Sequence, residues 1–196
     1  MNINKPQFQF ERMSLDDFEE LLLDKPENEK WELIGGRVIR GMVGARWEHH
    51  FIIRNIDLAI SNHLSDTGLP CFTFRETFYL KEHKDDLAAL PDLMVRCGNL
   101  EPGVASLNDP IIVVEVVSPG SENRDRLEKR ISYQALPSLK TYVIIERDRM
   151  FIDVYERNGS GFIAADPLTT AGDVLKLPAI EFQMSLAQVY RYVFTS

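Results

Sequence analysis

The sequence PIIVVEVVSP, from Pro110 to Pro119, decides the fold. Its β-branched residues occupy both phases of the strand alternation, which predicts a strand covered on both faces in the interior of a sheet. Glu115 stands in the middle of this strand, and its neighbours on the same face are hydrocarbon. A buried carboxylate without a partner is costly or has a raised pKa, so we expect a metal ion or a cationic side chain beside Glu115.

The residues after this strand predict a helix and a second strand. Ser118-Pro119-Gly120 ends the first strand, and Ser121 is suited to cap a helix that runs to about Leu136. Lys129 lies on the flank of that helix, and residues 141–146 form the next strand. The predicted apolar stripe of the helix consists of Leu127, Ile131 and Ala135. A strand, a helix and a strand in this order predict a β-α-β crossover with the helix on one face of the sheet.

Size and composition indicate an ordinary globular protein. The chain has 196 residues, of which 44% are hydrophobic and 27% charged, and we predict one domain over 1–196, with 1–13 as an N-terminal extension. The chain contains no apolar run of about 18 residues and no signal-peptide core, so we expect a cytoplasmic protein without membrane segments. Cys71 and Cys97 lack a CxxC spacing, and we expect reduced thiols, with a disulfide between them left open.

The net charge of −8 argues against tight, non-specific binding of DNA, because phosphate contacts need Lys and Arg. This argument concerns only the total charge and not its distribution over the surface. Acidic residues are crowded into 11–29, so a basic face elsewhere in the fold stays open.

The rest of the chain predicts a mixed α/β or α+β domain, because helices and strands do not alternate regularly. Gly35-Gly36 between two strand-like runs predicts a hairpin, and Gly68 ends a helix. Helices are predicted at 14–23 and 48–65, and Ser185 is predicted to cap a terminal helix. The predicted strands cover 31–34, 37–42, 71–80, 91–95, 151–156 and 162–165, with 175–177 and 180–182 extending the sheet.

Three chemically active side chains come from neighbouring elements of this prediction. Asp92 begins one strand, Glu115 lies in the next, and Lys129 lies on the helix after it. If the two strands pair, both carboxylates reach one point with the lysine above it. Carboxylate oxygens are preferred ligands of Mg²⁺ and Mn²⁺, and such an ion lowers the pKa of bound water. This pattern predicts a site for phosphodiester hydrolysis.

Five motifs in order resemble those of the Uma-two family of restriction-endonuclease-like proteins. They are WELIGG (31–36), LPDLMV (90–95), VVEVVSP (113–119), RDRLEK (124–129) and YVII (142–145). The family belongs to the PD-(D/E)XK superfamily. The resemblance implies a restriction-endonuclease-like core, with a central mixed sheet flanked by helices, and Mg²⁺- or Mn²⁺-dependent cleavage of DNA. Nucleases of this kind often act as dimers, so the resemblance also suggests a homodimer.

The resemblance assigns roles to four residues. Asp92 and Glu115 match the two acidic metal ligands, and Glu32 matches an early glutamate that often joins the metal shell in this superfamily. Glu32 stands at a predicted strand start, where we expect a catalytic role in water or metal binding, with a salt bridge to an arginine as the alternative. The lysine expected two positions after Glu115 is replaced by Val117, and in the Uma-two pattern Lys129 supplies it from the following helix. A catalytically inactive binding module for nucleic acid or protein, and a hydrolase of a smaller phosphoester, are the alternative functions.

Three further residues receive a structural interpretation. His49 could approach a phosphate or a metal-bound water, but the polarity of a helix N-terminus accounts for His49 and its neighbour His50. We interpret Tyr133 as a core aromatic with its hydroxyl at the edge of the core. Ser118 has no nucleophile-elbow motif around it and belongs to a turn.

Overall fold

The computed structural model describes residues 12–42, 44, 46–118 and 124–194. The α-helices are α1 Leu15–Leu22, α2 Trp47–Thr67, α3 Arg130–Gln134 and α4 Leu186–Val189, with a π-helix at Arg124–Lys129 and a 3₁₀ turn at Pro178–Ile180. Strands β1 to β7 are Glu29–Ile34, Arg37–Met42, Cys71–Arg75, Tyr79–Glu82, Leu87–Ala89, Leu93–Cys97 and Ser106–Leu107. Strands β8 to β13 are Ile112–Val117, Thr141–Glu146, Ile152–Asn158, Gly161–Ala164, Val174–Leu177 and Phe182–Ser185. Within the described ranges, no helix is long and apolar enough to span a membrane.

Two large sheets form a mixed α+β fold. The six-stranded sheet has the order β11-β10-β9-β8-β6-β3, and the five-stranded sheet has the order β2-β1-β5-β4-β7. Strand β8 lies in the interior of the six-stranded sheet, where it pairs antiparallel with β6 and parallel with β9. Both the interior strand and the β-α-β crossover predicted from the sequence are therefore confirmed.

The two faces of the six-stranded sheet contribute to two different cores. On one face, β8 packs with α2, α4 and the two-stranded sheet of β12 and β13. The apolar side chains of Ile56, Val114 and Leu186 lie in this core. On the other face, β8 packs with strands of the five-stranded sheet and with Tyr133 and Leu136. Helix α1 covers the outer side of β1 through Phe18 and Trp31. The inner face of β1 thus lies opposite the face of β8 that carries Glu115.

Local signals in the sequence fixed several boundaries as predicted. Ser14 caps α1 by accepting a hydrogen bond from the N–H of Asp17 at 3.1 Å. Gly35 and Gly36 both have positive φ, 56° and 78°, as a two-residue hairpin turn between β1 and β2 requires. Gly68 ends α2 in the left-handed conformation, and Ser185 caps α4 with a full capping box.

Two strand predictions are wrong, one in the extent of the strand and the other in its pairing. The run 71–80 is divided by a turn at 76–78, so that β3 joins the six-stranded sheet and β4 the five-stranded one. The predicted extension over 175–182 forms instead a separate two-stranded sheet of β12 and β13. Periodicity identifies a strand, but the choice of a partner depends on contacts distant in the sequence.

The helix after β8 differs from the prediction in its geometry. The described part begins as a π-helix at Arg124–Lys129, and Ser121 lies outside the described residues. A π-turn contains more residues than an α-turn, so the side chains rotate relative to a regular helix. Leu127 and Ile131, predicted to face the core, are exposed, whereas Lys129 and Tyr133 are buried.

The two cysteines form a disulfide, so the expectation of reduced thiols is wrong. Cys71 on β3 and Cys97 on β6 are directly opposite each other in the antiparallel register, with their Cα atoms 3.9 Å apart. Their separation of 26 residues hides this proximity in the sequence.

Candidate functional site

The polar cleft of the molecule lies between the two large sheets. Residues 90–92 cross from β5 in the five-stranded sheet to β6 in the six-stranded sheet, and Asp92 is the last residue of this link. Lys30 and Glu32 project from the inner face of β1 toward the same space. The cleft has a volume of about 190 Å³. Its polar lining consists of Lys30, Glu32, His49, Asp92, Glu115 and Lys129.

Lys129 connects two buried carboxylates across the gap between the sheets. Its Nζ lies 2.9 Å from Oε1 of Glu115 and 3.1 Å from Oε1 of Glu32. Only 2% of Lys129 is exposed, and both glutamates are buried. The π-helical turn therefore directs Lys129 into the cleft. The outer face of the same helical segment carries exposed apolar side chains.

Tyr133 holds the same oxygen of Glu115 from the core. Its hydroxyl donates to Oε1 of Glu115 at 2.8 Å, and the ring packs edge-on against Tyr142 with centroids 5.2 Å apart. Burial, followed by the nearby Glu115 carboxylate, raises the pKa of Tyr133 well above its ordinary value. Tyr133 thus remains a hydrogen-bond donor, and Glu115 receives two donors on a single oxygen.

Asp92 is fixed by the neighbouring strand and by α2. Its Oδ2 accepts a hydrogen bond from the N–H of Val116 at 2.7 Å and lies 3.2 Å from Nε2 of His49. Both contacts of Asp92 in the described part of the chain involve Oδ2. Because Val116 follows Glu115, the bond from its N–H ties Asp92 to the strand that carries the second carboxylate.

Electrostatic contacts lower the pKa of two of these buried carboxyl groups, Glu32 and Asp92. Burial raises the pKa of Glu32, but the ammonium groups of Lys129 and Lys30 and the N–H of Leu90 together hold that pKa below its ordinary value. Burial likewise raises the pKa of Asp92, but the hydrogen bond and charge of His49, the ammonium of Lys30 and the N–H of Val116 together outweigh burial, so that pKa is lowered. The contact with Asp92 in turn raises the pKa of His49 against the effect of its burial.

A larger groove shares part of the lining of the cleft and leads to the surface. It has a volume of about 1040 Å³ and includes His49, Asp92 and Val116, the acidic residues Glu29 and Glu76, and the cationic residues Lys25, Lys30, Arg46 and Arg147. Lys30 is anchored at the junction of both cavities, because its Nζ donates to the carbonyl of Leu90 at 2.7 Å. The cleft is therefore accessible from a groove with cationic residues along its lining.

The structure brings all four residues singled out from the sequence, Glu32, Asp92, Glu115 and Lys129, to one cleft. Glu32 lies within β1 rather than at its start. Within the described ranges, no three Asp, Glu, His or Cys side chains form a ready-made metal cluster. The roles of the four residues as metal ligands and catalytic groups stay predictions.

The sequence interpretation underestimated two residues and missed a third. His49 contacts Asp92 instead of only polarising a helix end, and Tyr133 bonds to Glu115 from a fully buried position. The spacing of four residues between Lys129 and Tyr133 was the available signal, since it places both on one side of a helical turn. Lys30 was missed, although its spacing of two from Glu32 puts both on the same face of β1.

Comparison with known proteins first defines the fold. The chain resembles the crystal structure of "a putative nuclease belonging to DUF820" from Anabaena variabilis, with a TM-score of 0.75 and 17% sequence identity over 93% of this chain and 99% of that one. It is also 26% identical to an uncharacterised protein of Synechocystis sp., over 97% of this chain and 98% of the relative. Residues 15–188 match the Uma2 family, described as "Putative restriction endonuclease". The chain belongs to this family, as its motifs predicted.

Proposed function

We propose that this protein is a metal-dependent endonuclease that hydrolyses phosphodiester bonds of DNA in the cleft between the two sheets. The observation that carries the proposal is the meeting of Glu115, from the interior of an apolar strand, with Asp92, Glu32 and Lys129. Keeping such charges in a core has a cost in stability that packing alone does not require. The family description and the fold shared with a nuclease-titled structure support the same activity.

The residues present fit a hard divalent cation. Glu32, Asp92 and Glu115 supply three carboxylates to a cleft in which Lys30 and Lys129 supply two ammonium groups, so a cation offsets the remaining negative charge. Asp92 and Glu115, with Glu32, are the residues that would hold Mg²⁺ or Mn²⁺, because these ions favour carboxylate and water ligands. When bound, the ion supplies an activated water and neutralises charge on the phosphate.

The side chains of this protein divide the remaining work. The Tyr133 hydroxyl fixes one oxygen of Glu115, and the Val116 N–H fixes one oxygen of Asp92. These hydrogen bonds preorganise the two carboxylates. Lys129 reaches the cleft with a donor that orients the attacking water or stabilises the charge of the pentavalent phosphorus. His49 holds Asp92 in place from the first turn of α2.

The second candidate function is a nucleic-acid- or protein-binding module without turnover. It is favoured by the ammonium of Lys129, which already lies between Glu32 and Glu115 as their cation. The two candidates differ in their response to divalent metal, because the module needs none.

Metal titration by calorimetry tests the proposal. We expect Mn²⁺ and Mg²⁺ to bind the wild-type protein, and Asp92→Ala or Glu115→Ala to abolish binding while the far-ultraviolet circular dichroism stays unchanged. His83→Ala, at an exposed histidine on another turn, is the control and should retain binding. Metal binding that persists in both acidic-residue variants would remove the nuclease from consideration.

A plasmid nicking assay tests the role of the lysine. Lys129→Met keeps most of the buried stem and removes the ammonium, so we expect nicking to fall at least 100-fold, a typical loss for one electrostatic donor in an active site. Lys140→Met, at an exposed lysine, should nick at the wild-type rate. Equal nicking by Lys129→Met and Lys140→Met would refute the role of Lys129.

A further inference from the structure

A cluster of three aromatic side chains lies outside the cleft, on α2 and on the turn after α4. Trp47 is 54% exposed and Tyr192 is 58% exposed. Phe51 lies between them, with its ring centroid 6.0 Å from each of the other two and the rings edge-on. Phe51 itself is partly buried against the core. Large aromatic side chains are normally placed in cores, so two exposed rings joined through a third indicate a contact surface.

Two arginines accompany these rings, and neither is paired with a carboxylate of a described residue. The guanidinium of Arg54 lies 5.8 Å from the centre of the Phe51 ring, and that of Arg191 lies 4.9 Å from the centre of the Tyr192 ring. Neither arginine forms an ion pair with any described residue. In a chain with a net charge of −8, two guanidinium groups without carboxylate partners favour an anionic ligand.

The same residues border a second cleft, distinct from the one with the carboxylates. It has a volume of about 310 Å³ and lies between α2 and residues 184–192, with Arg54, Leu58, Arg191 and Tyr192 in its lining. A planar ring entering this cleft would meet the Tyr192 ring, while the two guanidinium groups would face any attached phosphate. This combination matches a nucleotide unit rather than an apolar side chain.

The backbone at Tyr192 is held in an unfavourable conformation. Its φ is +72°, in the left-handed region that a tyrosine seldom adopts. Asn55 on α2 fixes the preceding turn, because its Nδ2 donates to the carbonyls of Val189 at 3.0 Å and Arg191 at 2.9 Å. Strain that the surrounding structure maintains is typical of functional positions.

The aromatic cluster is connected to the cleft by the start of α2. Trp47 and His49 belong to the same helical turn, and His49 contacts Asp92 in the cleft. Arg46, directly before Trp47, lines the cationic groove. The aromatic cluster therefore begins one residue after a lining residue of the groove.

We propose that Trp47, Phe51 and Tyr192, with Arg54 and Arg191, form a stacking platform for unpaired bases of a single-stranded nucleic acid. The inference rests on the proposed function for its ligand class. Aromatic rings beside arginines bind single strands because each base stacks on a ring and each phosphate meets a cation. Bases of an intact duplex are stacked on each other and cannot use the rings, so the platform selects substrates with an unpaired segment beside the cleavage point.

Fluorescence and anisotropy measurements in a metal-free buffer test this proposal. Trp31 is buried and Trp47 exposed, so oligothymidylate should quench mainly Trp47. We expect Trp47→Ala and Tyr192→Ala each to raise the Kd of a labelled oligothymidylate about tenfold, the loss of roughly one stacked base. Trp47→Phe should retain most of the affinity, because a ring remains.

Tyr192→Gly separates binding from folding. Glycine accepts a positive φ, so we expect this variant to unfold at a higher temperature than Tyr192→Ala while it binds the oligonucleotide as weakly. Phe72→Ala is the control, since Phe72 is an exposed aromatic on β3 and should leave the Kd unchanged. A Kd unchanged by both Trp47→Ala and Tyr192→Ala would overturn the proposal.

Two further outcomes would also overturn it. An abasic strand of the same length that binds as tightly as oligothymidylate would show that charge alone is recognised. Self-association that Trp47→Ala abolishes, in sedimentation without nucleic acid, would show that the platform is an interface between copies of the chain. Because no cleavage is measured, a protein that stacks bases but does not nick DNA would remove only the proposed function and leave this inference standing.

Discussion

The two faces of the six-residue strand β8 have different roles: one contributes to an apolar core and the other to the charged cleft. One face, with Val114 at its centre, packs into a core made only of apolar side chains around Ile56 and Leu186. The other face places Glu115 among Glu32, Lys129 and Tyr133. The apolar face stabilises through burial, whereas the charged face must satisfy every polar group to avoid a penalty. Stability and chemistry are thus divided between the two faces of one strand, with the consecutive residues Val114 and Glu115 on opposite faces.

The largest expected effect comes from removing the cation of the charged face. Lys129→Ala leaves Glu32 and Glu115 without the ammonium that contacts both, so we expect the free energy of unfolding to fall by about 3–5 kcal/mol. Urea denaturation followed by circular dichroism measures it. Lys140→Ala, at an exposed lysine, should change it by less than about 0.5 kcal/mol. A similar small loss in Lys129→Ala would mean that the charged face is not held together by the lysine.

The next effect removes one hydrogen bond from the same face. Tyr133→Phe deletes the hydroxyl that donates to Glu115, and a bond to a charged acceptor is worth about 1.5–3 kcal/mol. Tyr155→Phe is the matched control, because no described residue hydrogen-bonds to the Tyr155 hydroxyl and we expect almost no change. Equal unfolding free energies for the two variants would contradict the assigned hydrogen bond.

A mutation in the core that packs against the apolar face of β8 should affect stability alone. Ile56→Val removes one methylene from a fully buried position, so we expect a loss of about 0.5–1.5 kcal/mol. The affinity for Mn²⁺ and the nicking rate should equal those of the wild type, since the carboxylates lie on the other side of β8. A change in metal affinity larger than the experimental error would show that the two faces are coupled.

The smallest expected effect is a change of pH dependence. The pKa of Glu32 is held below its ordinary value of 4.5, so its ionised form contributes stability above about pH 4.5 that is lost as the pH falls through the lowered value. The difference in unfolding free energy between wild type and Glu32→Gln should therefore narrow from pH 7 toward about pH 3. A difference that stays constant over this range would show that the charge of Glu32 does not stabilise the fold.

Local rules in the sequence predicted much of the frame. The β-branched run of β8, the Gly35-Gly36 turn and the caps at Ser14 and Ser185 each act through residues a few positions apart. The pairing of β6 with β8 entered the sequence interpretation only as a condition, and the structure shows this pairing. Under that condition Asp92 and Glu115 were expected to reach one point, and both line the cleft.

What the sequence could not predict depends on contacts distant along the chain. The disulfide between Cys71 and Cys97 and the separate sheets of β3 and β4 are set by register and partner choice. The contact of His49 with Asp92 joins residues 43 positions apart. The outward rotation of Ile131 results from a π-turn, for which the sequence has no clear signal.

The π-turn and the two donors on Glu115 have a consequence for recognising distant relatives. Lys129 and Tyr133 meet the same carboxylate oxygen, so their spacing of four residues is constrained by geometry. The shared oxygen sets no fixed separation between Glu115 and Lys129, so relatives that differ in the number of residues before the π-helix would keep the pair. A search pattern that counts from the glutamate would miss such proteins, whereas one that requires a lysine and a tyrosine four apart at any distance after the strand would find them.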